Sequence, residues 1–213
     1  MARIAVFGAG GRAGRLLVAE AAGRGHQVTA VVRDPAKYPG LAAGSVTVVA
    51  GDVTDPAGVA AAVAGHDAVI SSIYREDTDP TELYEGTARA LLAGLGEAGV
   101  RRLVVVGLAA TLEAEPGVRV LDAPDFPEAF RTFALGHAAG LEVLRSAPPQ
   151  LDWLVVNPPM DFAWEGARTG RYRLYGGQLP PGGGRVSYAD LAIAVVDEIE
   201  TPRHHRTQLA VAD

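Results

Sequence analysis

Ile4-Ala5-Val6-Phe7-Gly8-Ala9-Gly10-Gly11-Arg12-Ala13-Gly14 is the stretch that decides the fold. Arg3–Phe7 is a short apolar run bounded by glycine and reads as a buried strand. Arg12–Arg24 then carries Leu16, Leu17, Ala19 and Ala22, a helix that Gly23 and Gly25 close. Gly8, Gly10 and Ala13 fit G-x-G-x-x-A, whereas Gly8, Gly11 and Gly14 fit G-x-x-G-x-x-G. Either parsing puts small residues where the chain turns sharply, where backbone must approach phosphate, and where helix packs on strand. The free N–H groups and positive dipole end of the helix would face a pyrophosphate. The turn therefore predicts dinucleotide binding through Gly8, Gly10, Gly11, Arg12, Ala13 and Gly14.

Working outward, strands and helices alternate to the end of the chain. Strands are expected at Gln27–Val32, Val46–Ala50, Ala68–Ser72, Leu103–Val106, Trp153–Val156 and Gln208–Val211. Helices are expected at Pro56–Ala64, with Asp55 or Thr54 as its cap, and at Pro80–Ala98, Pro127–Ser146 and Leu191–Glu200. The strands are continuous apolar runs, as they must be when helices cover both sheet faces. The expected fold is α/β: a Rossmann, doubly wound parallel sheet, one domain spanning residues 1–213. Residues 111–129 and 160–188 are irregular and follow the fifth and sixth strands. In an open α/β sheet such segments line the ligand crevice, so these two are expected to shape a small substrate pocket.

The end of the second strand bears on the cofactor. An acid there would accept hydrogen bonds from a ribose, whereas Val28–Val32 runs into Arg33. A guanidinium grips a 2′-phosphate with charge-assisted bonds, and Arg12 and Lys37 add charge nearby. The alternative is a solvated Arg33, with Asp34 serving the ribose. The first alternative predicts NADP(H). Asp52 and Val53 follow the third strand; Asp52 either meets the adenine amino group or forms the local turn. Ser71 and Ser72 end the fourth strand, where backbone would pass a nicotinamide ribose. Gly107 and Asn157-Pro158 end the next two strands and complete the expected cofactor-binding set.

Bulk properties narrow the partners. The 213 residues are 48% hydrophobic and 21% charged, enough for a sizeable core, and carry a net charge of −6. An acidic chain is a poor match for nucleic acid or an anionic membrane, so a small molecule is the expected partner. There is no cysteine, hence no disulfide, Cys-zinc site or thiol nucleophile, and no metal site is expected from five histidines of which only His204 and His205 adjoin. The apolar start is too short for a signal core, which makes the cytoplasm the expected location. A monomer or homodimer is expected.

Beyond the glycine turn, Val31-Val32-Arg33-Asp34-Pro35-Ala36-Lys37, Gly51-Asp52-Val53-Thr54-Asp55 and Ala68-Val69-Ile70-Ser71 resemble the atypical short-chain dehydrogenase/reductases. The group they resemble contains the NADH-flavin reductases, biliverdin reductase B and NmrA-like proteins. Leu151-Asp152-Trp153-Leu154-Val155-Val156-Asn157-Pro158-Pro159, Arg168–Leu174 and Val186–Ala192 are similar to that group's later segments. The resemblance covers nearly the whole chain and implies an NADP(H)-dependent oxidoreductase. It departs at one point. A short-chain dehydrogenase usually carries a Tyr-x-x-x-Lys pair on the helix after the fifth strand, where Lys lowers the Tyr pKa for proton exchange with a carbonyl. Here that helix reads Phe130-Arg131-Thr132-Phe133-Ala134-Leu135-Gly136-His137, without Tyr or Lys.

The titratable group left on that helix is His137, spaced from Leu144-Arg145 like a pocket histidine of the biliverdin reductase B group. It either donates a proton and orients substrate, or simply fills space. Thr111 is the first hydroxyl after the fifth strand and the second catalytic candidate. Phe162, Trp164, Tyr172 and Tyr175 either wall an aromatic pocket or pack the loops; Asp161, Glu165 and the Glu113–Glu115 run are expected in solvent. Three functions fit: hydride transfer to a planar conjugated acceptor such as a flavin or quinone, a non-catalytic redox sensor of the NmrA-like kind, and an epimerase reusing the fold.

Overall fold

The computed structural model describes residues 1–163 and 166–213; Trp164 and Glu165, both singled out above, lie outside them. The first half alternates strand and helix except between β2 and β3, which no α-helix separates: β1 (Arg3–Phe7), α1 (Arg12–Gly23), β2 (Gln27–Val32), β3 (Val46–Ala50), α2 (Pro56–Val63), β4 (Ala68–Ser71), α3 (Pro80–Ala98) and β5 (Arg102–Val106). The second half adds β6 (Glu113–Glu115), β7 (Val118–Arg119), α4 (Glu128–Arg145), β8 (Asp152–Asn157), β9 (Asp161–Ala163), β10 (Arg173–Tyr175), β11 (Arg185–Ser187), α5 (Tyr188–Glu200) and β12 (Thr207–Ala212).

Eight strands form the main sheet in the order β3-β2-β1-β4-β5-β8-β12-β10. Seven are parallel, and β10 closes the edge antiparallel to β12. The side-chain period of two sends each strand's residues to opposite faces. Ile4, Val6, Val104 and Leu154 pack with Leu17, Leu191 and Val195 of α1 and α5. Ala5, Phe7, Leu103 and Val155 pack with Val59, Leu91, Leu95 and Leu141 of α2, α3 and α4. Two helical layers therefore sandwich a Rossmann α/β sheet, which is why the strands show apolar runs instead of alternation.

The strand order reverses beside β1, which pairs with β2 on one side and β4 on the other. β1 and β4 stay paired to their carboxyl ends, Phe7 and Ser71, but the connections that follow lead to helices on opposite faces of the sheet and leave a crevice between them, the usual ligand position in such sheets. Three helix starts are sealed by side chains. Asp55 accepts from Ala57 N–H at the head of α2, Asp79 from Thr81 and Glu82 N–H at α3, and Ser187 Oγ from Asp190 N–H at α5. The Ser187–Asp190 box begins α5 at Tyr188, three residues before the expected Leu191. The hairpin β6–β7 and the parallel pair β9–β11 lie in the two segments expected to be irregular. Among the described residues, no helix is long and apolar enough to cross a membrane.

Candidate nucleotide cleft

The start of α1 differs from the three sealed ones: its cap is Gly11, with no side-chain bond and no acidic residue in the first turn. Its leading N–H groups are open to an anion. The turn is fixed by contact. Gly8 has φ +75, and a Cβ there would lie 2.0 Å from Ser72 O; at Gly14 it would lie 2.0 Å from Gly8 O. Gly11 N–H donates to Gly8 O at 2.9 Å. Gly8 and Gly14 thus tolerate no Cβ, whereas one on Gly11 would meet only Gly8 O, at 3.2 Å. Gly10 is small for another reason: a Cβ there would lie 2.3 Å from the Tyr38 ring. Arg15 holds that ring, with its guanidinium 5.5 Å from the centroid and its Nε bonded to Gly10 O.

The turn opens into a cleft of about 990 Å³ along the strand ends. One end carries Arg12, Arg33, Asp34 and Lys37. Arg33 and Lys37 are exposed; Arg33 Nη1 stands 4.0 Å from Asp77 Oδ2 and Lys37 Nζ 3.9 Å from Asp34 Oδ2. Such loose exposed pairs leave both cations available to a phosphate. Val53, Ser72, Gly107 and Pro158 also line the cleft. Asp52 adopts the turn-forming alternative: it accepts from Thr54 N–H and Oγ1 and receives two bonds from Arg75, at 2.8 and 2.9 Å. Burial works against its charge, yet the Thr54 and Arg75 bonds prevail and hold the carboxyl below its usual range.

The other end is aromatic, with Phe126, Phe130, Phe133, Phe162 and Tyr188 on its walls. Phe162 stacks on Tyr188 at 3.5 Å. Tyr74, Phe130 and Met160 leave large apolar surface exposed at the same cleft. His137 stands between this end and the core, its ring 3.8 Å from that of Tyr84 and tilted 31° to it, with Phe133 edge-on at 4.8 Å. Gly136 and Gly140 make that contact possible. A Cβ on Gly136 would lie 2.6 Å from the Pro80 carbonyl and one on Gly140 3.0 Å from Tyr84 O, so α4 approaches α3 closely. Burial pushes the His137 imidazole down to about 3, keeping it neutral at physiological pH, and pushes the Tyr84 phenol up.

Three expected site residues lie behind the cleft. Ser71 is buried. Thr111 is 3% exposed, with Oγ1 2.9 Å from Leu108 O and 3.0 Å from Gln208 Oε1. Asn157 is fully buried, and its Nδ2 donates to Leu209 O and Gln208 Oε1. The Thr111 and Asn157 polar groups are thus engaged within the fold, joining β8 and β12 to the turn after β5. Tyr172 and Tyr175 are also structural: Tyr172 OH donates to the Asp197 carboxylate, and Tyr175 packs on Ala109, Leu112 and Ala210. Sequence reasoning missed Tyr38, Arg75, Tyr84 and Tyr188. Their contacts are long-range, and of the four only Tyr188 falls in a stretch of family resemblance quoted above, Val186–Ala192, where no role was read for it.

An open helix N-terminus at the first βα turn, facing a crevice at the switch point of the sheet, defines a dinucleotide-binding Rossmann protein. The chain belongs to the NAD(P)H-binding family, whose model matches residues 8–202. It is similar over its full length to three solved structures. A protein from Burkholderia pseudomallei named "putative exported protein" is 41% identical, with TM-score 0.88 and all of both chains covered. A "putative NADH-flavin reductase" from Streptococcus pneumoniae is 32% identical, with TM-score 0.85 and the same coverage. A "putative epimerase" from Bacteroides thetaiotaomicron is 32% identical, with TM-score 0.89 and 99% of this chain and 96% of that one covered.

Proposed function

We propose that the protein is an NADPH-dependent oxidoreductase that reduces a planar conjugated acceptor such as a flavin or quinone. The observation that carries this reading is the cleft's two-ended character: an uncapped helix start with cations at one end, aromatic walls at the other. The Gly8–Gly14 cradle fits a pyrophosphate, since backbone there approaches more closely than any Cβ would permit. Arg33, Lys37 and Arg12 would hold the 2′-phosphate; the similarity to a short-chain dehydrogenase/reductase from Veillonella parvula in complex with NADP, at 18% identity, supports the fold alone.

When bound, the nicotinamide supplies a hydride. The chain's own residues do the rest. The Phe162–Tyr188 stack and Phe133 present flat apolar faces that order an aromatic ring and exclude water. His137, kept neutral, offers an N–H to a heteroatom of the acceptor and orients it by a hydrogen bond. A flavin or quinone needs less acid assistance than an isolated carbonyl, because its conjugated system spreads the incoming charge. That suits a helix without the Tyr-Lys pair. NADPH consumption measured against a panel of flavins, quinones and enones tests the proposal. Turnover with one of them supports it. Tight NADPH binding with no turnover on any would favour the sensor reading instead.

A further inference from the structure

Behind the cleft lies a second, smaller space of about 40 Å³ between the sheet and helices α3 and α4. It shares walls with the cleft: Ile73, Tyr84, Val106, Gly107, Leu108 and His137 line both. Its lining is mostly aliphatic, from Leu91, Leu141, Leu144 and Val155. Three polar side chains in it, Ser71, Thr87 and His137, carry no hydrogen bond among the described residues. Thr87 is 5% exposed, and its Oγ1 has no hydrogen-bond partner. The His137 ring has aromatic neighbours but no hydrogen bond on either nitrogen.

A buried hydroxyl without a partner costs on the order of 1–3 kcal/mol. A single water needs roughly 10–15 Å³ and two or more polar contacts. The cavity exceeds that volume, and Thr87 and His137 supply the contacts. We propose that the cavity is a water-binding site in which an ordered water bridges Thr87 Oγ1 and one ring nitrogen of His137. Thr87 O–H donates to the water, and the water donates to the imidazole. Occupying that nitrogen as an acceptor places the ring proton on the other nitrogen. The imidazole is then fixed in one tautomer, with its N–H free for the cleft. Thr87 is thus a positioning residue that acts through water on His137.

The use of that N–H rests on the oxidoreductase reading, but the water and the tautomer do not. The test uses the full-length protein without added cofactor. A high-resolution crystal structure is expected to show density within hydrogen-bond reach of Thr87 Oγ1 and a His137 nitrogen. Nitrogen-15 NMR of the histidines is expected to show a single His137 tautomer. Thr87→Val, nearly isosteric, should lose the water and give a tautomer mixture; Thr87→Ser should restore both. With an accepted acceptor, Thr87→Val should lower kcat about tenfold at unchanged NADPH affinity. A dry cavity, or a His137 tautomer identical in wild type and a folded Thr87→Val, would overturn the proposal. Loss of acceptor turnover in every form, with water and single tautomer intact, would overturn the reaction reading and leave this one standing.

Discussion

Replacing Gly14 by alanine puts a Cβ 2.0 Å from Gly8 O and 2.9 Å from Ala9 Cα. Ordinary contact starts at 3.4 Å, so the turn and the first turn of α1 must part by about 1.4 Å. Both partners are backbone, and neither can swing aside as a side chain would. The overlap should cost about 1–3 kcal/mol. For a chain of this size that is a fall of about 2–12 °C in Tm. Binding should suffer more than stability, because the displaced groups are the N–H donors themselves. A shift of about 1 Å in a positioned site costs on the order of a hundredfold, so the Kd for NADPH should rise by ten- to a hundredfold. Titration by NADPH fluorescence and a thermal melt measure both. Gly23→Ala is the control: nothing lies within 4 Å of its Cβ, and it sits in the last turn of the same helix. It should leave binding unchanged and stabilise by about 0.5–1 kcal/mol. Wild-type NADPH affinity in Gly14→Ala would refute the assignment of the turn.

Further expectations follow from other contacts. Arg33→Ala should weaken NADPH by about ten- to a hundredfold, the loss of a charge-assisted pair, while leaving NADH nearly unchanged; equal losses for both would remove Arg33 from the 2′-phosphate. His137 is held near 3 in the folded protein against about 6.5 unfolded, so protonation favours unfolding as pH falls through that window. Going from pH 7 to pH 5 should therefore cost about 2 kcal/mol; a His137→Phe variant should show that much less acid sensitivity in urea melts. Glu198 is 2% exposed and binds Arg102 at 3.2 Å and His204 at 2.8 Å. Glu198→Ala, which leaves the buried Arg102 guanidinium with Asp152 as its one carboxylate beside the backbone carbonyls of residues 198 and 204, should cost about 3 kcal/mol, read as a Tm drop of roughly 6–12 °C.

The parallel sheet was legible because its strands are buried on both faces and so are continuous in apolar residues. The uncapped α1 start was legible because the turn is local, with Gly8 and Gly14 only six residues apart. The short strands β6, β7, β9, β10 and β11 were not: two or three residues give no period to read. The site was legible in part. The residues on the nucleotide side adjoin strand ends, where topology alone places them. Tyr38 over Gly10, Arg75 on Asp52 and Tyr84 against His137 each join different elements by side-chain contact, which no spacing records. The exchange of bonds among Thr111, Asn157 and Gln208 is of the same kind, and it turns two expected cleft residues inward.

The most direct test of the account is calorimetric titration of the purified protein with NADPH and, separately, with NADH. The cleft predicts saturable one-to-one binding of NADPH, tighter than NADH, and weakened by salt through the Arg33 and Lys37 contacts. Absence of saturable binding by either nucleotide at millimolar concentration would contradict it.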